Sequence, residues 1–160
     1  MLLLLLLLLL LLAIPVAGQL ALGAAPRGSE ALMRRRAHGS CAGEAMARLR
    51  WDNDWETADK ICCFNRHYAE RSGQWRSTAF LQEESAASGA ITFYDSVTGT
   101  PLFVAPKGRS WDAFVAESKS HGWPSFRDEE VVAANVRVLP DGETASVDGT
   151  HLGHNLPDAR

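Results

Sequence analysis

Ala90-Ile91-Thr92-Phe93-Tyr94-Asp95-Ser96-Val97-Thr98-Gly99-Thr100-Pro101-Leu102-Phe103-Val104-Ala105 is the stretch that decides the fold class. Residues 90–94 and 101–105 are rich in β-branched and aromatic side chains, so each is predicted to be a strand. Asp95 to Gly99 supplies turn residues between them, which predicts a hairpin with a loop longer than two residues. Pro106-Lys107-Gly108 ends it.

A helix is predicted immediately downstream. Ser110 is placed to cap its N-terminus, and Asp112 sits in the first turn, where a negative charge is favoured. Trp111, Phe114, Val115 and Ser118 fall on one face at helical spacing. His121-Gly122 stops the helix, because glycine accepts the left-handed cap conformation. After Pro124 and the acids Asp128, Glu129 and Glu130, the run Asn135-Val136-Arg137-Val138-Leu139 reads as a strand. Pro140-Asp141-Gly142 turns the chain, and Thr144 to Val147 can pair back. Upstream, Trp51 to Tyr68 reads as helix followed by loop, Ser77 to Phe80 as a short strand after a turn, and Gln82 to Gly89 as a loop. The sum is a β-rich α+β domain of short strands.

The N-terminus reads differently. Leu2 to Leu12 is an unbroken leucine run, followed by Ala13, Pro15, Ala17 and Gly18. A short apolar core with small residues behind it resembles a secretory signal peptide, here assigned to residues 1–23. An uncleaved membrane anchor is the alternative. The leucine run is shorter than the about 20 apolar residues that span a bilayer. Residues 24–50 are rich in Arg and Ala and read as a linker or a transit-like segment, the latter implying delivery to an organelle. Residues 51–160 form the domain. The net charge is -3, which gives no case for nucleic acid, and membrane association is expected only through the leader. Three cysteines, Cys41, Cys62 and Cys63, are an odd count that does not describe a disulfide scaffold. The absence of any CxxC pair makes structural zinc an unexpected partner.

Two short motifs carry a resemblance. One is Gly122-Trp123-Pro124-Ser125-Phe126. The other is His151-Leu152-Gly153-His154, followed by Pro157-Asp158. In this order, with Leu102-Phe103 ahead and a valine-rich strand between, they resemble the signatures of the B-type methionine sulfoxide reductases over about Ile91 to Asp158. The resemblance implies twisted antiparallel sheets in a tent-like fold with a few helices. It implies an oxidoreductase that repairs protein methionine-R-sulfoxide, with no bound cofactor and an external thiol such as thioredoxin as reductant. It also implies site roles. Trp123 matches the aromatic wall for the substrate methyl, with Ser125 and Phe126 beside it in the substrate-binding motif. His151 and His154 match the active-site imidazoles, and Asp158 a carboxylate that supports them.

The chemistry suits such residues, since an imidazole titrates near neutrality and can protonate a departing oxygen. A cysteine thiolate must attack the sulfur and become a sulfenic acid, which a second thiol then reduces. Each residue also has a plainer reading. Trp123 alone would be core, Asp158 a solvated carboxylate, and His151 with His154 a metal pair if the segment were helical. Gly153 and Pro157 instead predict a loop there, with no further ligand placed. Two departures from the family stand out: both zinc-binding CxxC pairs are missing, and the Arg-Tyr-Cys-Ile-Asn strand that carries the family nucleophile has no counterpart before Arg160. None of the three cysteines occupies a matching position, and none is expected in the pocket. Two functions follow as expectations: a reductase domain truncated before its nucleophile, or a non-catalytic binding module on the same fold.

The leader yields the first testable expectation. Mature protein should begin after Gly18 or Gly23, where small residues suit signal peptidase. N-terminal sequencing checks this, and Met1 intact on exported protein would indicate the anchor instead.

Overall fold

The computed structural model describes residues 20–64 and 73–156. Within them the chain is α+β, with two antiparallel sheets and three α-helices among shorter helical turns. β1 (Ile91–Tyr94) and β2 (Pro101–Ala105) form the predicted hairpin. Its turn is organised by Asp95, whose side chain accepts the Val97 and Thr98 N–H groups at 2.8 and 3.2 Å. The register slips between Phe93 and Tyr94. That bulge lets the neighbouring residues Leu102 and Phe103 both enter the core, where strict alternation would expose one of them.

The second sheet is ordered β3-β4-β5, with β3 at Val136–Val138, β4 at Glu143–Ser146 and β5 at His151–His154. The predicted Pro140-Asp141-Gly142 turn joins β3 to β4. Gly142 takes a φ of 89° and donates its N–H to the Leu139 carbonyl at 2.9 Å. β5 corrects the expectation of a loop over 151–154. A bulge at Thr144/Ala145, with Gly153 at a φ of 122°, absorbs the irregularity and keeps the segment paired.

The helices are α1 (Trp55–Asp59), α2 (Phe80–Glu83) and α3 (Trp111–His121). α3 follows its sequence closely. The Ser110 side chain accepts the Ala113 N–H, and Gly122 closes the helix at a φ of 88°. α1 is capped by Asp54 and runs into one turn of π-helix, Lys60–Phe64. Ser77 to Phe80 is not the predicted strand. The Thr78 hydroxyl donates to the Trp75 carbonyl at 2.6 Å and accepts the Phe80 N–H at 3.3 Å. Threonine thereby draws the backbone into local turns and starts α2.

Two apolar clusters make the core. Trp75, Phe80, Ile91, Ala105 and Phe114 form one, and Leu102, Phe103, Val131 and Val136 the other. Phe93 and Phe126 pack against both. Phe126 stacks on Phe103 with ring centroids 4.0 Å apart and meets Phe93 edge-on at 4.9 Å.

Residues 24–50, read above as linker or transit-like, lie along the domain. Leu22 bridges to Val132, and Arg27 to Val138. The Gly23 and Gly28 N–H groups donate to the Val131 and Val138 carbonyls, each at 2.9 Å. Cleavage after Gly18 would preserve the Leu22 pairing, whereas cleavage after Gly23 would remove it. The leucine run lies outside the described residues. Among the described residues no helix is long and apolar enough to cross a membrane.

Beneath the loop that follows α3, Glu130 is fully buried and paired with Arg109, whose side chain is 3% exposed. The carboxylate accepts Arg109 Nε at 2.8 Å and Nη2 at 2.5 Å, and the Lys107 and Arg127 N–H groups at 3.0 and 2.9 Å. Truncating one member of such a pair strands the other charge in the interior. Glu130→Ala should therefore cost about 3–5 kcal/mol, read as a lower urea midpoint, with Glu130→Gln less damaging.

Candidate functional site

β5 positions the two histidines. The bulge inserts one extra residue, so His151 pairs with Ala145 and His154 with Glu143. Ala145 and Glu143 are two apart on β4 and share a face. Cross-strand partners share a face as well, so both histidines lie on the same side of the sheet despite their three-residue spacing. His151 is 5% exposed, and its Nδ1 stands 2.7 Å from Glu143 Oε1, itself buried. A carboxylate in that position makes Nδ1 the donor and fixes the ring's orientation. His154 is exposed, and its ring lies over Gly142, where an added Cβ would come within 3.0 Å of Nε2. A side chain at residue 142 would push His154 aside.

The other motif residues have different surroundings. Trp123 is half-buried against the first core cluster. Its indole N–H is shut away, with no hydrogen-bond partner among the described residues. Ser125 is tied on three sides. Its N–H donates to Ser118 Oγ at 3.0 Å, its carbonyl accepts Arg109 Nη2 at 2.6 Å, and its hydroxyl lies 2.8 Å from His121 Nδ1. Phe126 carries a structural load between the two clusters. The two motifs share an apolar support, because Phe126 and Leu152 both rest on the Phe103 cluster. Asp158 lies outside the described residues.

The cysteines depart from what the sequence suggested. Cys41 and Cys63 form a disulfide with Cα atoms 5.2 Å apart, within the span that a disulfide accepts. The odd count concealed one bonded pair and one free thiol. The cross-link closes 22 residues, and loop-closure entropy makes a bridge of that length worth about 3 kcal/mol. Two of the cysteines nonetheless come near His151, in a cavity that neither Trp123 nor His154 lines. Lys60–Phe64 packs against β5, and Cys62, Cys63 and His151 line one cavity with Ser40 and Arg36. Sequence distance hid this, because the contact depends on how the turn before α1 folds back.

Cys62 is nonetheless a poor nucleophile. Burial pushes its thiol up to about 11, against the Ser96 hydroxyl, which donates to Sγ at 3.2 Å and favours the thiolate. Cys63, bonded to Cys41, has no thiol to offer.

Comparison of the chain with known protein families, curated proteins and solved structures finds no match. Two contributors escaped the sequence reading. Glu143 sits on a strand whose partner faces the interior, and a buried acid of that kind is visible only once the register is known. The pairs His38-x-x-Cys41 and Asp59-x-x-x-Cys63 were legible as spacings, but a search for CxxC pairs passes over them.

The thiol chemistry is directly testable. A raised thiol pKa leaves Cys62 protonated through neutral pH, and thiolate appears only as pH climbs from the ordinary 9.0 toward about 11. Iodoacetamide should therefore alkylate Cys62 far more slowly at pH 8 than it does a free cysteine peptide, and the rates should converge near pH 11. The same rate as the peptide at pH 8, read by mass spectrometry, would show that Cys62 is not desolvated.

Proposed function

We propose that this domain handles methionine-R-sulfoxide in oxidised proteins and supplies the proton-delivering half of a B-type methionine sulfoxide reductase site. The observation that carries the reading is the placement of His151 and His154 on one face of β5, with the His151 ring anchored by buried Glu143. An oriented imidazole can bind the sulfoxide oxygen and protonate it as it leaves. Trp123 is the aromatic surface in this reading, and Asp158 the further carboxylate. The tent-like family fold belongs to the same proposal.

The complete reaction needs a thiolate. It attacks the sulfoxide sulfur, and the oxygen takes up two protons and leaves as water. A water then attacks the cysteine sulfur of the resulting sulfonium, releasing methionine and one proton and leaving a cysteine sulfenic acid. A dithiol of thioredoxin type then reduces that acid, one thiol forming a mixed disulfide with loss of water and the other releasing the cysteine. In this reading the attacking cysteine belongs to a strand that would pair along β5, which is the edge of its sheet among the described residues. Export through the leader fits the Cys41–Cys63 bond, since disulfides persist in oxidising compartments.

A second reading has its own support. With Cys62 protonated near neutrality and Cys63 bonded, no thiolate lines the His151 cavity. A module that binds the sulfoxide without reducing it needs none.

One assay separates these readings. With dithiothreitol, the 160-residue chain should not reduce methionine-R-sulfoxide faster than free thiol does, because positioning a nucleophile supplies about 7–11 kcal/mol of such a barrier. A version extended by an Arg-Tyr-Cys-Ile-Asn strand should gain R-specific turnover and a higher urea midpoint. In that version His154→Ala should mainly lower kcat, and Trp123→Ala should mainly raise KM. An inactive extended chain that still binds one epimer by calorimetry would favour the binding module. Binding of neither epimer would remove both readings.

A further inference from the structure

Cys63 belongs to a second constellation besides the His151 cavity. His38 and Cys41 occupy the ends of a tight turn, each donating its backbone N–H to the other's carbonyl, at 3.3 and 2.9 Å. Gly39 takes a φ of 61° at the first turn position, and an added Cβ there would fall 1.9 Å from the Cys63 carbonyl oxygen. Only glycine lets this turn press against the 60–64 segment, where the Ser40 N–H donates to that same oxygen at 2.8 Å. Opposite the turn, Asp59 and Cys63 stand four apart on successive helical turns and so face the same way.

A tight turn carrying His-x-x-Cys therefore meets a helical turn carrying Asp-x-x-x-Cys. The ligating atoms of His38, Asp59 and Cys63 all lie within 4.8 Å of one another, and the Cys41 sulfur is bonded to that of Cys63. Donor atoms of a tetrahedral zinc site stand about 3.5 Å apart, given metal–sulfur and metal–nitrogen bonds of about 2.3 and 2.0 Å. The His38, Asp59 and Cys63 donors already cluster near that spacing, and the Cys41 sulfur would turn toward them once the S–S bond is broken. Supporting contacts are already in place. Asp59 Oδ1 accepts the Ala45 N–H at 2.8 Å, which orients the carboxylate, and Phe64 holds the His38 ring edge-on at 4.5 Å.

We propose that His38, Cys41, Asp59 and Cys63 form a redox-gated site for a zinc-type divalent cation. In the oxidised protein the sulfurs are spent on each other, and His38 Nε2 rests against Asp59 at 2.8 and 3.0 Å. A dithiol reductant breaks the S–S bond, becoming a disulfide itself while each cysteine sulfur takes one proton. The cation then replaces both thiol protons, which pass to solvent, and coordinates both sulfurs, the imidazole and the carboxylate. The donor set of two sulfurs, one nitrogen and one oxygen suits zinc and its spectroscopic stand-in, cobalt. Reduction would not simply loosen this corner, because metal would take over the cross-link.

The test uses the full chain, reduced with dithiothreitol, freed of it under anaerobic conditions, and titrated with Co2+. The expected result is one cobalt per reduced chain, with the intense visible bands of tetrahedral thiolate coordination, displaced by Zn2+ and absent from the oxidised chain. Cys62→Ser should leave the titration unchanged and Cys41→Ser should abolish the bands. His38→Ala should weaken binding by more than the roughly 10–100-fold that loss of an outer-shell contact costs. Should Cys41→Ser not fold, the reduced wild-type chain decides the matter. Zn2+ must then slow alkylation of Cys41 and Cys63, read by mass spectrometry. No uptake, octahedral spectra, equal uptake by the oxidised chain, loss of binding in Cys62→Ser, or unchanged alkylation would each overturn the proposal.

Discussion

Glu130 is a charge that cannot reach water, and the middle of the fold is arranged to satisfy it. Its two oxygens gather an arginine fork and two backbone N–H groups from the end of the hairpin and the loop after α3. A buried carboxylate is tolerable only when its lone pairs are occupied this fully. The same Arg109 reaches the Ser125 carbonyl and so ties down the loop that carries Trp123 to Phe126. The aromatic bridge then follows. With its backbone held, Phe126 has one place to go, flat on Phe103 and across Phe93. A polar constraint thus selects the apolar packing that joins the clusters, and through Leu152 it reaches the strand bearing the histidines.

The two halves of the molecule are stabilised by different means. The hairpin, α3 and the second sheet rely on apolar burial together with the buried Arg109–Glu130 and His151–Glu143 pairs. Residues 38–64 contain only short helical segments and hold together through the Cys41–Cys63 bond, the Gly39 approach and the Asp59 carboxylate. Short helical turns in water do not persist unaided. A covalent or coordinative link is therefore the natural support for α1 and its π-turn, and Cys63, one of the side chains that supply it, also lines the His151 cavity.

Much of this was legible locally. The hairpin, α3 with its Ser110 and Gly122 caps, and the Pro140-Asp141-Gly142 turn follow from short-range signals that tertiary structure did not override. The failures share a cause. Thr78 redirects a β-like run by capping backbone groups, an effect that residue propensity does not register. β5 looked like a loop because of Gly153 and Pro157, yet a bulge within β5 itself accommodates the glycine and keeps the strand paired. In the site, the histidines were visible as a motif, but Glu143 depends on strand register. The bonded pair of cysteines depends on a turn closing against a segment far along the chain, and pairing of that kind is a property of topology that composition cannot report.

The edge of β3 is covered by the part of the described chain that is made first. Leu22 and Arg27 reach Val132 and Val138, more than 100 residues later in synthesis. The stretch of the described chain that emerges earliest from a ribosome therefore has no partner for this pairing until nearly everything else has appeared. Closure of so long a loop comes late and slowly. Until then the open edge of the second sheet would be exposed to other chains, and a holding chaperone would have its main task in that interval.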